Sequence, residues 1–237
     1  MKIITWNCQG AFRNKAEAIF VHSPDILVVQ ECEHPDKLIF NQQLSKPDDM
    51  LWFGDNAHKG LCVLSFNGHS LSLAEPYNNE LKFIAPILVK GLHHECLLFA
   101  VWANNPGDPD GRYVEQVWKG IGYYDKLLDY SSCILTGDFN SNTIWDRPRR
   151  IGNHSAVVTK LAEKKIFSTY HTFFEQEQGK EEHPTFYLYR NKDKAYHLDY
   201  CFISHHLYDK VKNVEVGSFE QWKNLSDHVP VIVDIEV

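Results

Sequence analysis

The sequence predicts an α+β fold in which two packed, mainly antiparallel β-sheets are flanked by helices. Many short apolar or β-branched runs are typical of strands, and loops of hairpin length join several of them. Fewer segments show the spacing of an amphipathic helix, and these are mixed with the strands along the chain. This mixture favours two sheets covered by helices over a purely parallel α/β sheet.

The predicted strands and helices follow one another from the N-terminus to the C-terminus. Ten runs are predicted as strands: residues 2–6, 25–30, 61–66, 83–90, 95–102, 133–136, 185–189, 196–204, 211–216 and 229–235. Four segments are predicted as helices: residues 13–22, 35–44, 112–128 and 154–165. Asn153 stands where a side-chain cap of the last helix is expected. We expect these helices to cover faces of the sheets.

The composition is that of a compact chain without a membrane span. Of its 237 residues, 43% are hydrophobic and 13% aromatic, which is enough to build a substantial core. No tract is rich in Gly, Pro or Gln, and no apolar run approaches the roughly 18 residues of a membrane helix. We expect a single domain over residues 1–237. Because the N-terminus lacks an apolar leader, we expect a cytoplasmic protein.

Charge and cysteine usage narrow the chemistry further. The net charge is −7 and the isoelectric point is near 6.0, whereas duplex-DNA-binding domains commonly have values above about 9. Residues 147–150 and 190–194 are local basic exceptions. The six cysteines are scattered singly, with no Cys-x-x-Cys zinc spacing, so we expect reduced thiols in the core.

Polar side chains stand at the ends of several apolar strands. They are Asn7, Glu31, Asp138, Asn140, Asp227 and His228. Each alone is commonly a turn former, a solvated strand end or a hydrogen-bonded core histidine. Ionised groups at the margin of a core are costly unless they are paired or bind a cation, and oxygen ligands of this kind suit Mg²⁺. If these strand ends converge, the sequence predicts a magnesium site.

The same segments resemble the endonuclease/exonuclease/phosphatase superfamily of metal-dependent phosphoesterases, which includes exonuclease III-like AP endonucleases, DNase I and inositol polyphosphate phosphatases. The matching pieces run in the family's order and cover nearly the whole chain. They are Thr5-Trp6-Asn7, Val29-Gln30-Glu31, Thr136-Gly137-Asp138-Phe139-Asn140-Ser141, His197-Leu198-Asp199-Tyr200 and Leu225-Ser226-Asp227-His228-Val229-Pro230. The resemblance implies a DNase I-like, four-layered sandwich of the α/β type and a phosphoesterase activity.

The resemblance also implies roles for individual residues. Three residues are expected to bind Mg²⁺, for which Mn²⁺ could substitute: Glu31, Asn7 and Asp227. Four residues are expected to act in catalysis: Asp138, Asn140, Asp199 and His228. Among these, Asp199 is expected to orient His228. In the implied reaction, water attacks a phosphoester in line, and either Asp138 or His228 takes its proton.

Two positions depart from the family pattern. Gln9 stands where the family commonly carries Asp, which favours one metal ion over two. Trp102 stands where relatives have a histidine or a tyrosine, and a strand-end tryptophan is equally consistent with plain core. The residues expected to contact substrate are Trp102, Asn105, Arg147, Arg149 and Phe186.

Three functions are consistent with these observations. The first is a Mg²⁺-dependent nuclease or phosphodiesterase acting on DNA or RNA, for which the arginines of residues 147–150 could hold additional phosphates. The second is a phosphatase or phosphodiesterase acting on a small molecule or a lipid headgroup, for which an acidic surface is no handicap. The third, a non-catalytic phosphate- or nucleic-acid-binding module, is disfavoured because every expected catalytic residue is present.

Overall fold

The computed structural model describes residues 1–40, 45–104 and 112–237, which contain two six-stranded sheets and a two-stranded one. The strands are β1 Lys2–Asn7, β2 Ile26–Cys32, β3 Asp49–Asn56, β4 Lys59–Ser65, β5 Ser70–Leu73, β6 Ile84–Lys90, β7 Glu95–Trp102, β8 Cys133–Asp138, β9 Ile166–Ser168, β10 Phe186–Tyr187, β11 Ala195–Tyr196, β12 Asp199–Ser204, β13 Val211–Val216 and β14 Val231–Ile235. The α-helices are α1 Ala16–Phe20, α2 Val114–Tyr123, α3 His154–Glu163, α4 Thr169–Phe173 and α5 Phe219–Trp222.

Both large sheets are mainly antiparallel, as predicted. The first has the strand order β13-β14-β1-β2-β4-β3 and the second the order β5-β6-β7-β8-β12-β9. Among the described strands, only two neighbouring pairs are parallel, β1 with β2 and β7 with β8, one near the centre of each sheet. Parallel neighbours end on the same edge of a sheet, so the C-terminal ends of β1 and β2 lie together, and so do those of β7 and β8.

The elements pack in four layers, which confirms the predicted DNase I-like sandwich. Val28 of the first sheet and Leu98 of the second belong to the core between the sheets. The outer face of the second sheet is covered by α2 and α3, with Val117 fully buried there. The outer face of the first sheet is covered by α1 and α5 through Ile19 and Trp222. Burying a single large apolar side chain contributes about 1.5–3 kcal/mol to folding.

The helices are shorter than predicted. The predicted helix at 154–165 corresponds to α3, and the Asn153 side chain accepts the Ala156 N–H as its cap. The predicted helices at 112–128 and 13–22 contract to α2 and α1. The prediction at 35–44 was wrong over its described part, where Pro35–Lys37 forms only a 3₁₀ turn. Leu38 and Phe40 follow this turn and pack against the apolar residues of the first sheet without forming a helix. Residues 41–44 lie outside the described residues.

The strands that the sequence did not predict lie at sheet edges. They include β3 at one edge of the first sheet and β5 and β9 at the two edges of the second. An edge strand pairs on one side only, and β5 and β9 are four and three residues long. The segment predicted as a strand at 185–189 contracts to the two residues of β10. These three edge strands therefore left a weaker apolar signal than the central strands, whereas β13, at the remaining edge, coincides with the predicted run 211–216.

Two expectations from composition can be compared with the structure. All six cysteines are buried and free of disulfide bonds, as predicted. Burial raises the pKa of the Cys8 thiol to about 12, so this thiol stays protonated. Along the described ranges, none of the helices has the length and apolar character needed to cross a bilayer.

Candidate active site

The ends of central strands from both sheets meet at one edge of the sandwich. Asn7 ends β1 and Asp138 ends β8, and Asn7 Nδ2 donates a hydrogen bond to Asp138 Oδ2 over 3.0 Å. Gln30 of β2 donates in the same way from Nε2 to the Val101 carbonyl of β7 over 3.2 Å. These hydrogen bonds cross from the first sheet to the second. They hold the strand ends that the sequence predicted to converge.

A cleft of about 340 Å³ opens at this edge. The residues of the sequence prediction that line it are Asn7, Glu31, Trp102, Asn140, Phe186, Asp227 and His228. Asp138 and Asp199 are fully buried. Both contact cleft residues through hydrogen bonds, Asp138 with Asn140 and Asp199 with His228. The structure therefore brings the seven residues predicted to bind metal or act in catalysis to a single place.

His228 lies between two carboxylates that belong to neighbouring strands. Asp138 of β8 and Asp199 of β12 are direct cross-strand partners, an arrangement in which two like charges repel. His228 Nδ1 donates to Asp199 Oδ2 over 2.8 Å, and its Nε2 lies 4.0 Å from Asp138 Oδ2. Since a carboxylate can only accept, this contact fixes a hydrogen on Nδ1. The imidazole thus compensates the charge of the paired aspartates.

Burial and mutual attraction shift the pKa values of Asp138 and His228. Burial raises the pKa of the Asp138 carboxyl to about 7, with Asp199 adding to the rise and His228 opposing it. Burial alone would lower the pKa of His228, but the Asp199 and Asp138 carboxylates outweigh it and raise that pKa to about 10. The two groups titrate as a coupled pair. Near neutral pH the imidazole is therefore held in its cationic form, and the Asp138 carboxyl lies close to its raised pKa.

The turn after β8 folds back onto Asp138. The Asn140 N–H donates to Asp138 Oδ1 over 2.8 Å, and Asn140 Nδ2 donates to Asp138 Oδ2 over 3.0 Å. Asn140 reaches this position with a φ of 47°, in the left-handed region. Glycine is needed at position 137, just before Asp138, because a Cβ there would lie 1.9 Å from the Val101 carbonyl oxygen. The close approach of β7 and β8 therefore requires glycine at this position.

Glu31 reaches the cleft because β2 carries a bulge. The pairing of β2 with β4 shifts register between Gln30 and Cys32, and Glu31 between them has a φ of 59°. A bulge of this kind re-aims a side chain out of the regular alternation. Gln30 and Cys32 are fully buried, whereas the Glu31 side chain is partly exposed and forms an ion pair with Lys59. The sequence pattern did not indicate either the bulge or Lys59.

Asp227 is held from the opposite side by a chain of hydrogen bonds. Its Oδ2 accepts from Gln9 Nε2 over 2.8 Å, and Gln9 Oε1 in turn accepts from Arg190 Nη2 over 2.6 Å. Arg190 also donates to the Asn224 carbonyl over 3.3 Å. Gln9, the departure from the family pattern, therefore connects a guanidinium to the carboxylate of Asp227. The sequence prediction did not include Arg190, which lies 181 residues from Gln9.

The backbone is irregular just before the last strand, which is two residues shorter at its start than the predicted run 229–235. β14 begins only at Val231, so Asp227 and His228 lie in irregular backbone ahead of it. Ser226 Oγ accepts the His228 N–H over 3.1 Å and donates to the Asn7 carbonyl over 2.7 Å. Ser226 thus ties the histidine to the end of β1, a supporting role that the sequence did not reveal.

The comparison with known families fits this geometry. The model of the Endonuclease/Exonuclease/phosphatase family matches residues 4–228. The chain belongs to that family. The match spans the first four motifs and the fifth as far as His228, and it confirms the predicted class of enzyme. No curated protein sequence matches the chain.

Solved structures of family enzymes have the same fold. A 3′–5′ exonuclease, NExo, from Neisseria meningitidis superposes with a TM-score of 0.68 at 18% identity, covering 100% of both chains. The 3′ phosphatase NExo from Neisseria bound to a product DNA hairpin gives 0.66 at 16% identity, again over 100% of both chains. An AP endonuclease from Archaeoglobus fulgidus gives 0.64 at 16% identity over 100% of both chains. These similarities show the shared DNase I-like fold.

The residues predicted to contact substrate are in three different situations. Phe186 lines the cleft with its ring centroid 4.7 Å from that of His228, and Trp102 lines it while packing edge-on against Phe83 at 4.8 Å. Trp102 therefore combines the two alternatives that the sequence left open. Arg147 and Arg149 do not line the cleft but a separate groove beside it. Asn105 lies outside the described residues.

The donor set of the cleft suits a hard divalent cation. Glu31 and Asp227 carry carboxylates and Asn7 an amide, and all three line the same cleft. Asp199 Oδ1 is buried without a hydrogen-bond partner among the described residues, so this corner of the site has unused acceptor capacity. No cysteine lines the cleft within the described ranges, which fits Mg²⁺ better than zinc. The Asp138, Asp199 and His228 ligand atoms lie within 4.8 Å of one another, but their hydrogen bond and opposite charges already compensate one another.

Proposed function

We propose that this enzyme is a Mg²⁺-dependent hydrolase of phosphodiester bonds whose substrate is DNA or RNA. The observation that carries the proposal is the cleft lined by Asn7, Glu31, Asp227 and His228. Asp138 is buried directly behind it, in contact with Asn7 and close to His228. Substrate class is supported by the structural relatives, which include an exonuclease and a 3′ phosphatase bound to a DNA hairpin. The fully buried, free cysteines support a reducing, cytoplasmic environment.

Several residues of the cleft would bind the cation, and two basic residues hold their carboxylates in place. Glu31, Asp227 and the side-chain oxygen of Asn7 would hold the Mg²⁺ ion, for which Mn²⁺ could substitute. A bound divalent ion neutralises the non-bridging oxygens of a phosphate and the charge on its leaving group. Lys59 and Arg190 keep the carboxylates in place on the solvent side. The partly exposed position of Glu31 lets a hydrated ion enter.

Proton transfer falls to the buried residues. The coupled pair Asp138 and His228 accepts the proton of the attacking water, because the pKa of Asp138 is raised to about 7 by burial. Asp199 orients the imidazole through the hydrogen bond to Nδ1. Asn140 donates from Nδ2 to Asp138 Oδ2 and to the Ala103 carbonyl, so it holds the buried carboxylate in place beside the cleft. Phe186 and Trp102 line the cleft with aromatic surfaces against which the substrate packs.

A substrate panel tests the proposal. Fluorescent single-stranded and duplex oligonucleotides, bis-p-nitrophenyl phosphate, p-nitrophenyl phosphate and inositol phosphates are each incubated with Mg²⁺, Mn²⁺ or EDTA. We expect cleavage of oligonucleotides and of the bis-ester with either metal ion and none in EDTA. Turnover of inositol phosphates or of the monoester alone would replace the nuclease by a small-molecule phosphatase. Binding of oligonucleotides without turnover of any substrate would contradict an enzymatic role.

A further inference from the structure

Four arginines line one open groove beside the cleft. The chain contains six arginines and eighteen lysines, yet the described lining of this groove has four arginines and no lysine. The four are Arg112, Arg147, Arg149 and Arg150, and we call the surface they line the arginine groove. Guanidinium groups bind phosphates through paired hydrogen bonds, which a lysine cannot offer. In a chain of net charge −7, this concentration of a single residue type indicates a phosphate-rich ligand.

Within the described ranges, most of the positive charge in the arginine groove has no carboxylate partner. Glu115, its one acidic lining residue in the described part of the chain, accepts from Arg150 Nε over 2.7 Å. Asp146, next to Arg147, is engaged elsewhere, since its carboxylate accepts the N–H groups that begin α3. The side chains of Arg112, Arg147 and Arg149 have no carboxylate partner in the described ranges. Among the described residues, a ligand would therefore not have to displace a carboxylate from these three guanidiniums.

The arginine groove is built into the fold and continuous with the cleft. Arg150 Nη2 donates to the Arg112 carbonyl, so the loop after β8 is tied to the start of α2. Tyr113 lines the cleft, the arginine groove and a pocket of about 240 Å³ between them. Asn140 and Phe186 line both the cleft and that pocket. An extended ligand can therefore run from the cleft past Tyr113 to the arginines.

We infer that the arginine groove binds the sugar-phosphate backbone of a nucleic acid strand whose reacting phosphate lies in the cleft. This inference rests on the proposed function and specifies its substrate as a polymer. A small monophosphate ester bound in the cleft has no second phosphate to place on these arginines. A strand carries regularly spaced phosphates that can occupy both places at once. Exposed Trp145 lines the intervening pocket and offers a surface on which a base can stack.

Fluorescence anisotropy of a labelled single-stranded DNA of about 12 nucleotides tests the inference in EDTA, where turnover plays no part. The full chain is compared with the double variant Arg147→Ala, Arg149→Ala at several salt concentrations. Each lost phosphate contact reduces the slope of log affinity against log salt by about 0.7, so we expect a decrease of about 1.4. This change in salt dependence corresponds to a roughly tenfold weaker affinity at about 0.15 M salt.

A charge-matched control separates a specific groove from net charge. The variant Lys126→Ala, Lys210→Ala removes two exposed positive charges outside the groove and the cleft. We expect its salt slope to equal that of the unmodified chain. Equal losses in both double variants would overturn the inference. Thermal unfolding of both variants, expected at the unmodified temperature, shows that the fold is intact.

Two further measurements distinguish this inference from its alternatives. Binding to vesicles that contain phosphatidylinositol phosphates tests a membrane ligand. Loss of vesicle binding in the arginine variant, with unchanged oligonucleotide binding, would overturn the inference. Hydrolysis of bis-p-nitrophenyl phosphate by the unmodified chain tests the proposed function separately. If that hydrolysis is absent but oligonucleotide affinity depends on the arginines, the proposed function fails and the inference stands.

Discussion

The two walls of the cleft differ in how far water reaches their charged groups. The buried wall, formed by Asp138, Asp199 and His228, is at most 4% exposed. The open wall, formed by Glu31, Asp227 and Gln9, has side chains that reach solvent, with Glu31 at 20%. Both walls pair carboxylates with a cationic group. In the buried wall the cation is an imidazole between the carboxylates, and in the open wall it is Lys59 or Arg190 at the rim.

This difference suits the two walls to different tasks. In the buried wall, low dielectric strengthens each interaction, and burial raises the pKa of Asp138 to about 7. In the open wall, solvent access allows a hydrated ion to enter and to keep part of its water shell. We therefore expect substitutions in the buried wall to change the rate of hydrolysis and substitutions in the open wall to change cation affinity.

The largest effect is expected from Asp138→Asn in the buried wall. The substitution keeps the shape of the side chain but removes the carboxyl group that titrates as a coupled pair with His228. We expect hydrolysis of bis-p-nitrophenyl phosphate to fall on the order of 10³-fold, the range typical of lost proton transfer. Mn²⁺ affinity, measured by electron paramagnetic resonance, is expected to change little. A large loss of Mn²⁺ affinity with a normal rate at saturating metal would erase the distinction between the walls.

Glu31→Gln in the open wall is expected to act on the cation instead. The amide keeps an oxygen but loses the charge, so the Mg²⁺ concentration for half-maximal activity is expected to rise roughly 100-fold. Because the buried wall is untouched, much of the rate should return at high Mg²⁺. A titration of activity against Mg²⁺ measures both quantities. A rate that stays low at every Mg²⁺ concentration would show that Glu31 acts in the chemical step.

A smaller effect on Mg²⁺ binding is expected from Gln9→Ala, also in the open wall. Gln9 does not carry charge, but it connects Asp227 to Arg190 and so fixes the position of that carboxylate. Loss of such a supporting contact is expected to weaken Mg²⁺ binding by roughly tenfold. Arg190→Ala is expected to have a similar effect, and the double variant little more, because both residues act through one chain of contacts. Additive losses in the double variant would indicate two independent roles.

The least effect on hydrolysis is expected from Glu181→Gln, outside both walls. Despite burial, hydrogen bonds from His171, the Gly179 N–H and Asn142 lower the pKa of Glu181 to about 2. A lowered carboxyl pKa stabilises the fold above the unfolded value of about 4.5, and this contribution is lost as pH falls toward 2. We expect the variant to unfold about 2 kcal/mol more easily at pH 7, a gap that narrows once pH falls below about 4.5 and is largely gone at about pH 2. Urea unfolding at both pH values measures it, and a gap independent of pH would contradict this origin.

Much of the site could be predicted from sequence because the central strands carry strong signals. Asn7, Asp138 and His228 directly follow or precede uninterrupted apolar runs, and the order of the motifs indicated that their ends meet. The residues of the open wall were harder to predict from sequence. Glu31 enters the cleft through a one-residue register shift, which depends on how β2 pairs with β4. Lys59 and Arg190 reach the site from distant parts of the chain, and no local periodicity records such contacts.

The arginines also show what could not be predicted from sequence. The sequence indicated that residues 147–150 form a basic run, and it placed Arg147 and Arg149 at the rim of the site. Arg112 joins them only because α2 begins against the loop after β8. Whether a basic run is a solvated surface or part of a lined groove is decided by tertiary packing. The sequence therefore identified the charges but not the surface they form.

The most direct test of the central claim is the stoichiometry of Mn²⁺ binding to the full chain by isothermal titration calorimetry. The account expects one ion per chain, lost in the double variant Glu31→Gln, Asp227→Asn and retained in the control Asp36→Asn, Asp209→Asn, which removes two exposed carboxylates elsewhere. Undiminished binding in the first variant would show that the converging strand ends do not form the cation site.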